Sequence, residues 1–166
     1  IAKPDFETRS PWYSGNPNKH LTREETSQLN QWYRRNRRGG PQGSVAHGWG
    51  QMFTQKVFDA IDEDGDGVSD LFPLVDGKRI AGGLCMSHPK VVGIAAQWFI
   101  NFFKAHPEYD HWTFSQGDSM QFCECDRCKA MGSNHGAHML IMSNGVIEKV
   151  NRVHRTKRLY IIPYEV

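Results

Sequence analysis

A chain of 166 residues with 39% hydrophobic and 11% aromatic content can bury one ordinary core, which excludes a disordered protein and points to a single domain or a large piece of one. Its 20 Lys+Arg against 18 Asp+Glu leave a formal charge of +2, too small a bias to draw a nucleic acid or a membrane surface by field alone. No stretch approaches the roughly 20 apolar residues of a membrane span, and the N-terminus lacks the basic-then-apolar layout of a signal peptide. The chain opens on Ile1 without a Met and closes on Tyr164-Glu165-Val166, which reads as a strand running into the terminus. A processed or truncated product is therefore expected, in which any export signal would lie outside this chain, with the remainder of the same polypeptide as a partner.

Residues 1–40 mix Pro4, Pro11, Gly15 and Pro17 with Phe6, Trp12 and Tyr13, a pattern of irregular or short extended structure. Within them Thr22-x-x-Glu25 is a capping box, and Leu29, Trp32 and Tyr33 follow at helical spacing until Gly39-Gly40-Pro41 stops the helix. The basic run Arg34, Arg35, Arg37, Arg38 reads as a solvated helix end, where the macrodipole favours cations.

Residues 41–166 read as the larger, chemistry-bearing part. Ser44 to Trp49 is predicted to be a short buried strand that ends in His47, Gly48 and Trp49. An acidic loop spans 62–70, and Pro89 then begins the clearest helix, with Val91, Val92, Ile94, Ala95, Trp98, Phe99, Phe102 and Phe103 as its apolar stripe and Pro107 just beyond its end. Trp112 to Ser115 follows as a strand. A helix over roughly 137–154 is expected to turn Leu140, Ile141, Ile147, Val150 and Val153 inward. Leu159 to Tyr164 reads as a near-continuous apolar strand buried on both faces.

Strand, helix, strand, helix, strand in that order predicts an α/β fold, a parallel βαβαβ arrangement with right-handed crossovers. A closed eight-stranded barrel usually needs about 250 residues, so the chain would hold a portion of a TIM-like (β/α)8 barrel or a small open sheet complete in itself.

Three constellations carry chemistry. Cys123, Cys125 and Cys128 stand within six residues, and Cys85 precedes the long helix. Adjacent parallel units bring those two segments together, which makes a tetrahedral zinc site of four thiolates geometrically plausible, with disulfides and free thiols as the alternatives. Four thiolates would close the coordination shell, so the role would be structural. In the second, Asp62, Asp64, Asp66 and Asp70 occupy positions one, three, five and nine of a calcium loop with Gly67 at six; Pro73 stands at the twelfth, where an EF-hand places Glu. The third is positional. His47 follows one strand, Gln116 and Asp118 the next, and Glu165 the last, and parallel α/β folds bind ligands at the carboxyl ends of strands. Asp118 and Glu165 would there be paired carboxylates of the kind glycosidases use, and Trp12, Tyr13, Trp49 and Tyr164 are candidate sugar-stacking rings.

The stretches Ala46-His47-Gly48-Trp49, Asp76-Gly77-Lys78-Arg79, Gly83-Leu84-Cys85-Met86-Ser87-His88-Pro89 and Ser115-Gln116-Gly117-Asp118, followed by Cys123 to Cys128, resemble in that order the family called domain of unknown function 4838 over roughly residues 32–166. The resemblance implies a partial barrel related to glycoside hydrolases, with His47 and Asp118 at the sugar-facing end and an unidentified glycan as the partner. Two departures stand out: Gly117 replaces a usual Asn, and the acidic loop replaces a segment with an aromatic residue and a His-Pro-Glu. The tripeptide His106-Pro107-Glu108 is read as a helix terminator. Glycosidic hydrolysis would use Asp118, with Glu165 as second carboxylate and His47, Trp49, Gln116 and Tyr164 against the sugar. The alternative is a non-catalytic, metal-stabilised carbohydrate-binding or scaffold module. A zinc-dependent nucleic-acid binder would want a basic face around the cysteines, whereas Glu124 and Asp126 sit among them.

Overall fold

The structure, a computed structural model, describes residues 21–35, 46–118 and 121–162. The chain divides into two compact units, Ile1–Gly43 and Ser44–Val166. In the first, helix α1 (Arg23–Arg35) begins at the expected capping box. The Glu25 carboxylate accepts from the Thr22 backbone N–H at 2.8 Å, and Glu25 N–H donates to Thr22 Oγ1 at 3.2 Å, so two of the donors orphaned at the helix start are satisfied.

The second unit mixes helix and strand in the order α2 (Trp49–Met52), α3 (Gln55–Asp59), β1 (Leu74–Val75), β2 (Lys78–Arg79), α4 (Val91–Ala105), β3 (His111–Thr113), α5 (Asp126–Ala130), α6 (His135–Asn151) and β4 (Arg158–Tyr160). Strands β3 and β4 pair in parallel, with His111 opposite Arg158 and Thr113 opposite Tyr160. On the other edge of β3 the 46–48 segment joins through a parallel bridge between His47 and Ser115, and the N–H groups of Gly48 and Trp49 both donate to the Ser115 carbonyl. Three extended segments therefore lie side by side in chain order and run the same way, which is the α/β arrangement expected.

Helix α4 buries Val91, Ala95, Phe99 and Phe103, four residues apart each time, so one line of side chains runs along its inner face. Phe99, stacked on Phe103 of the same helix at 5.9 Å, meets Phe114 edge-on at 5.6 Å, which seats the helix on the strand layer. Helix α6, capped by the Asn134 side chain accepting from Ala137 N–H, packs on α4 with Met139, Met142, Val146 and Val150 buried. Gly145 lets the two helices approach, since a methyl there would stand 3.3 Å from Val92.

Several expectations are corrected. Leu140 and Ile141 are 46% and 51% exposed and Val153 is exposed as well, because the buried line is Met139, Met142, Val146, Val150; residues one and two places past Met139 are turned about 100° and 200° away from it. The last strand is not buried on both faces: Leu159 and Ile161 pack on the core, Arg158 is exposed, and the half-buried Tyr160 lies against His111. Trp49 starts a helix instead of ending a strand. Residues 163–166, with Tyr164 and Glu165, and residues Trp12 and Tyr13 lie outside the described residues. Among the described residues no helix is long and apolar enough to cross a membrane.

Candidate metal centre and polar cluster

The four cysteines converge because two strand-like segments are held side by side. Gly83 and Gln121 form a parallel bridge, and two residues beyond each stand Cys85 and Cys123. A hairpin closes the third side. Asp76 and Gly77, at φ 49° and 75°, make the tight turn between β1 and β2 that an Asp-Gly pair favours. From that hairpin Leu74 N–H donates to Cys123 Sγ at 3.3 Å, Glu124 N–H donates to the Leu74 carbonyl at 2.8 Å, and Asp76 N–H reaches the Glu124 carboxylate at 3.2 Å. Cys125 and Cys128 are set by the first turn of α5, where Cys128 N–H donates to Cys125 Sγ at 3.5 Å.

All four are free thiols whose sulfurs lie within 4.8 Å of one another. Cys85 Sγ stands 3.7 Å from Cys125 Sγ and 3.9 Å from Cys128 Sγ. A disulfide would need about 2.05 Å. A tetrahedron of sulfurs around one ion at about 2.3 Å has edges of about 3.8 Å, so the donor set fits a tetrahedral metal ion. Cys85, Cys123 and Cys128 are buried and Cys125 is partly so.

The sulfurs share protons unequally. Hydrogen bonds from the Cys123 and Cys128 thiols hold Cys85 far below the ordinary thiol range, while the same sharing with Cys128 and Cys85 pushes Cys123 far above it. Cys128 is pushed up to about 11: a hydrogen bond from Cys123 pulls it down, and the interaction with Cys85 together with burial outweighs that. Burial opposes ionisation of Cys125, yet the Cys128 N–H and the Ser87 hydroxyl carry its pKa below the usual value. With Cys85 and Cys125 shifted toward the thiolate and Cys123 and Cys128 away from it, the four sulfurs are an arrangement in which a cation would compete with protons.

In the acidic loop, Asp62, Asp64 and Asp70 bring carboxylate oxygens within 4.8 Å of one another. Asp66 is not in that group; its carboxylate accepts from Val68 N–H at 2.7 Å. Asp62 accepts from the N–H groups of Gly65 and Gly67, and Asp70 accepts from Glu63 N–H at 2.7 Å and pairs with Arg79 at 3.1 Å. Glu63 joins this loop to the Cys85 segment: it pairs with Lys90 at 2.8 Å and lies 3.7 Å from the buried His88, whose pKa burial lowers.

At the carboxyl ends of the strands the structure brings His47, Gln116 and Asp118 together. His47 Nδ1 is bonded to the Gln116 backbone carbonyl, and His47 Nε2 stands 3.3 Å from the Asp118 carboxylate. Gln116 is itself buried, and its backbone carbonyl is the group bonded to His47. Gly48 keeps this end tight, since a methyl there would stand 2.6 Å from the Thr113 carbonyl oxygen. Trp49 is only 5% exposed and packs against Phe53 and Phe114, so its ring is committed to the core.

The family described as Domain of unknown function (DUF4838) has a model that matches residues 1–165. The chain belongs to the DUF4838 family. No curated protein and no solved structure matches it.

Sequence reasoning missed Ser87 and the Leu74 N–H as parts of the DUF4838 cysteine site, and it missed the Glu63, Lys90 and His88 link. The signal for Ser87 was its place two residues after Cys85. Nothing in the order of residues announces Leu74.

Proposed function

We propose that this chain is a portion of a (β/α) barrel of glycoside-hydrolase type that acts on a glycan at the carboxyl ends of its parallel strands. Asp118 is the working carboxylate, His47 its partner in proton transfer and sugar contact, and the Gln116 carbonyl the group that orients His47. The observation that carries the reading is the His47–Asp118 approach of 3.3 Å, made by residues 71 positions apart that meet where such folds place their ligands. The layering supports it. Doubly wound open sheets reverse strand order and carry helices on both faces, whereas here the strands run in chain order and α4 and α6 form one packed layer.

Two ions belong to the same reading. Zinc, a closed tetrahedral ion with affinity for thiolates, would be held by Cys85, Cys123, Cys125 and Cys128 as a staple beside the site. Calcium, a hard ion with affinity for carboxylates, would sit at Asp62, Asp64 and Asp70.

A non-catalytic carbohydrate-binding module is the second reading, and the 74% exposure of the Asp118 side chain favours it, because an acid catalyst is usually desolvated so that it holds its proton near neutral pH. Calorimetric titration of the metal-loaded protein with a glycan panel, run beside hydrolysis assays, separates the two. Hydrolysis that Asp118→Asn abolishes, with the fold intact, is the expected result. Binding without turnover selects the module, and a folded protein that neither binds nor cleaves any glycan sinks both.

A further inference from the structure

Ser87 is not one of the four sulfur donors, yet its side chain is aimed at them. Its Oγ stands 3.1 Å from Cys128 Sγ and 3.6 Å from both Cys85 Sγ and Cys125 Sγ. Those sulfurs are themselves 3.7 and 3.9 Å from Cys85, so one oxygen touches all three members of a triangle and lies over its face. Cys123, the fourth sulfur, is held from the hairpin side by Leu74 N–H. Two backbone N–H groups thus serve Cys123 and Cys125, and the Ser87 hydroxyl stands at hydrogen-bond distance from Cys128.

A hydroxyl has one hydrogen and two lone pairs. Beside protonated thiols it can accept from an S–H. When a cation binds, the thiols give up their protons and only donation remains, so the hydrogen turns to the nearest sulfur, Cys128. A hydrogen bond to the charged form favours that form, and metal must compete with protons for each thiolate.

We infer that Ser87 is a positioning residue of the metal centre, donating its hydroxyl hydrogen to the Cys128 sulfur and capping the Cys85, Cys125, Cys128 face so that the loaded site holds its ion against competing chelators. The inference rests on the reading of the four cysteines as a metal site. It assigns Ser87 no coordination bond; its task is to keep three adjacent negative sulfurs compatible.

The test uses cobalt(II) as the probe, because a four-thiolate site gives it a strong sulfur-to-metal charge-transfer band. Ser87→Thr keeps the hydroxyl and Ser87→Val removes it at nearly the same shape, so the pair isolates the hydrogen bond from packing. All three proteins are expected to take up one ion per chain. The Thr variant should match the wild type. The Val variant should lose its ion to a chelator about ten-fold faster or more, the scale typical of groups that support metal ligands. Its charge-transfer band should move to longer wavelength, since an undonated thiolate holds its electrons less tightly. A Val variant with the band and release rate of the Thr variant overturns the role of Ser87. A wild-type protein that takes up no cobalt overturns the metal reading beneath it, a result distinct from the first.

Discussion

Gly83 shows how a single residue decides where four sulfurs meet. A methyl at this position would stand 2.3 Å from the Gln121 carbonyl oxygen and 2.9 Å from Pro73, well inside contact distance, and the nearer atom is backbone. The bridge between Gly83 and Gln121 also sets the register that puts Cys85 beside Cys123. Gly83→Ala is therefore expected to force the two segments apart, costing about 1–3 kcal/mol as overpacking does, and to weaken metal uptake with it. Denaturant unfolding and cobalt titration of the variant measure both; unchanged uptake would mean that the bridge does not set the site. The cysteines themselves were legible in the sequence, because three thiols within six residues and a fourth before the helix define a donor set without any coordinates. What could not be read was the agent of their convergence, since a glycine that excludes a methyl looks like any other glycine until its neighbour is known.

At the scale of elements, the long helices and the inward stripe of α4 were legible, and the facing of α6 was legible only at Ile147 and Val150. Thr22 and Glu25 announced α1, and Pro107 announced the end of α4, because caps and prolines act through local backbone chemistry. Helix α6 carries apolar residues on several sides, so the choice between the line through Met139, Met142 and Val146 and one through Leu140 and Ile141 was made by the partner helix. The strands of the β1–β2 hairpin are two residues each and helix α5 is five, too short for a periodic signal, yet the hairpin braces Cys123 and α5 sets Cys125 and Cys128. The acidic loop poses the opposite case, a strong sequence pattern whose structure uses part of it. Asp70 is already neutralised by Arg79 and Asp66 faces Val68 N–H, so three carboxylates, one of them paired, remain for an ion. Calcium at that site is expected to bind weakly, on the order of 10⁻⁴–10⁻³ M, the range of sites with few free charges. Thermal unfolding in 10 mM calcium should rise by a few degrees and Asp62→Ala should erase the rise; equal midpoints with calcium and with a chelator would remove calcium from the proposal.

Taken as a whole, the second unit has two ends held by different forces. The α4, α6 and β3 end is apolar, with Phe99, Phe103, Phe114, Val146 and Val150 fully buried, and needs no ion to hold it. The other end, from Leu71 to His88 and from Gln121 to Ala130, is made of short elements tied by single hydrogen bonds: Cys85 N–H to the Leu71 carbonyl, Glu124 N–H to the Leu74 carbonyl, Gln121 N–H to the Gly82 carbonyl. Leu71, Leu84 and Met86 of this end join the apolar core, and beside them its buried centre is the four sulfurs. Because thiolate ligands must be deprotonated, lowering the pH favours release, and a chelator should do at neutral pH what acid does. Removal of the metal is therefore expected to unfold one end and leave the other. Hydrogen exchange after chelation should show protection lost over residues 71–88 and 121–130 and retained in α4 and in the inner face of α6, since local stability follows local contacts. Far-UV dichroism should barely change, because the long helices lie in the retained part. Uniform loss of protection along the whole unit would show that the apolar layer and the sulfur end are one cooperative structure, and would make the ion a condition of the fold and not a staple at its edge.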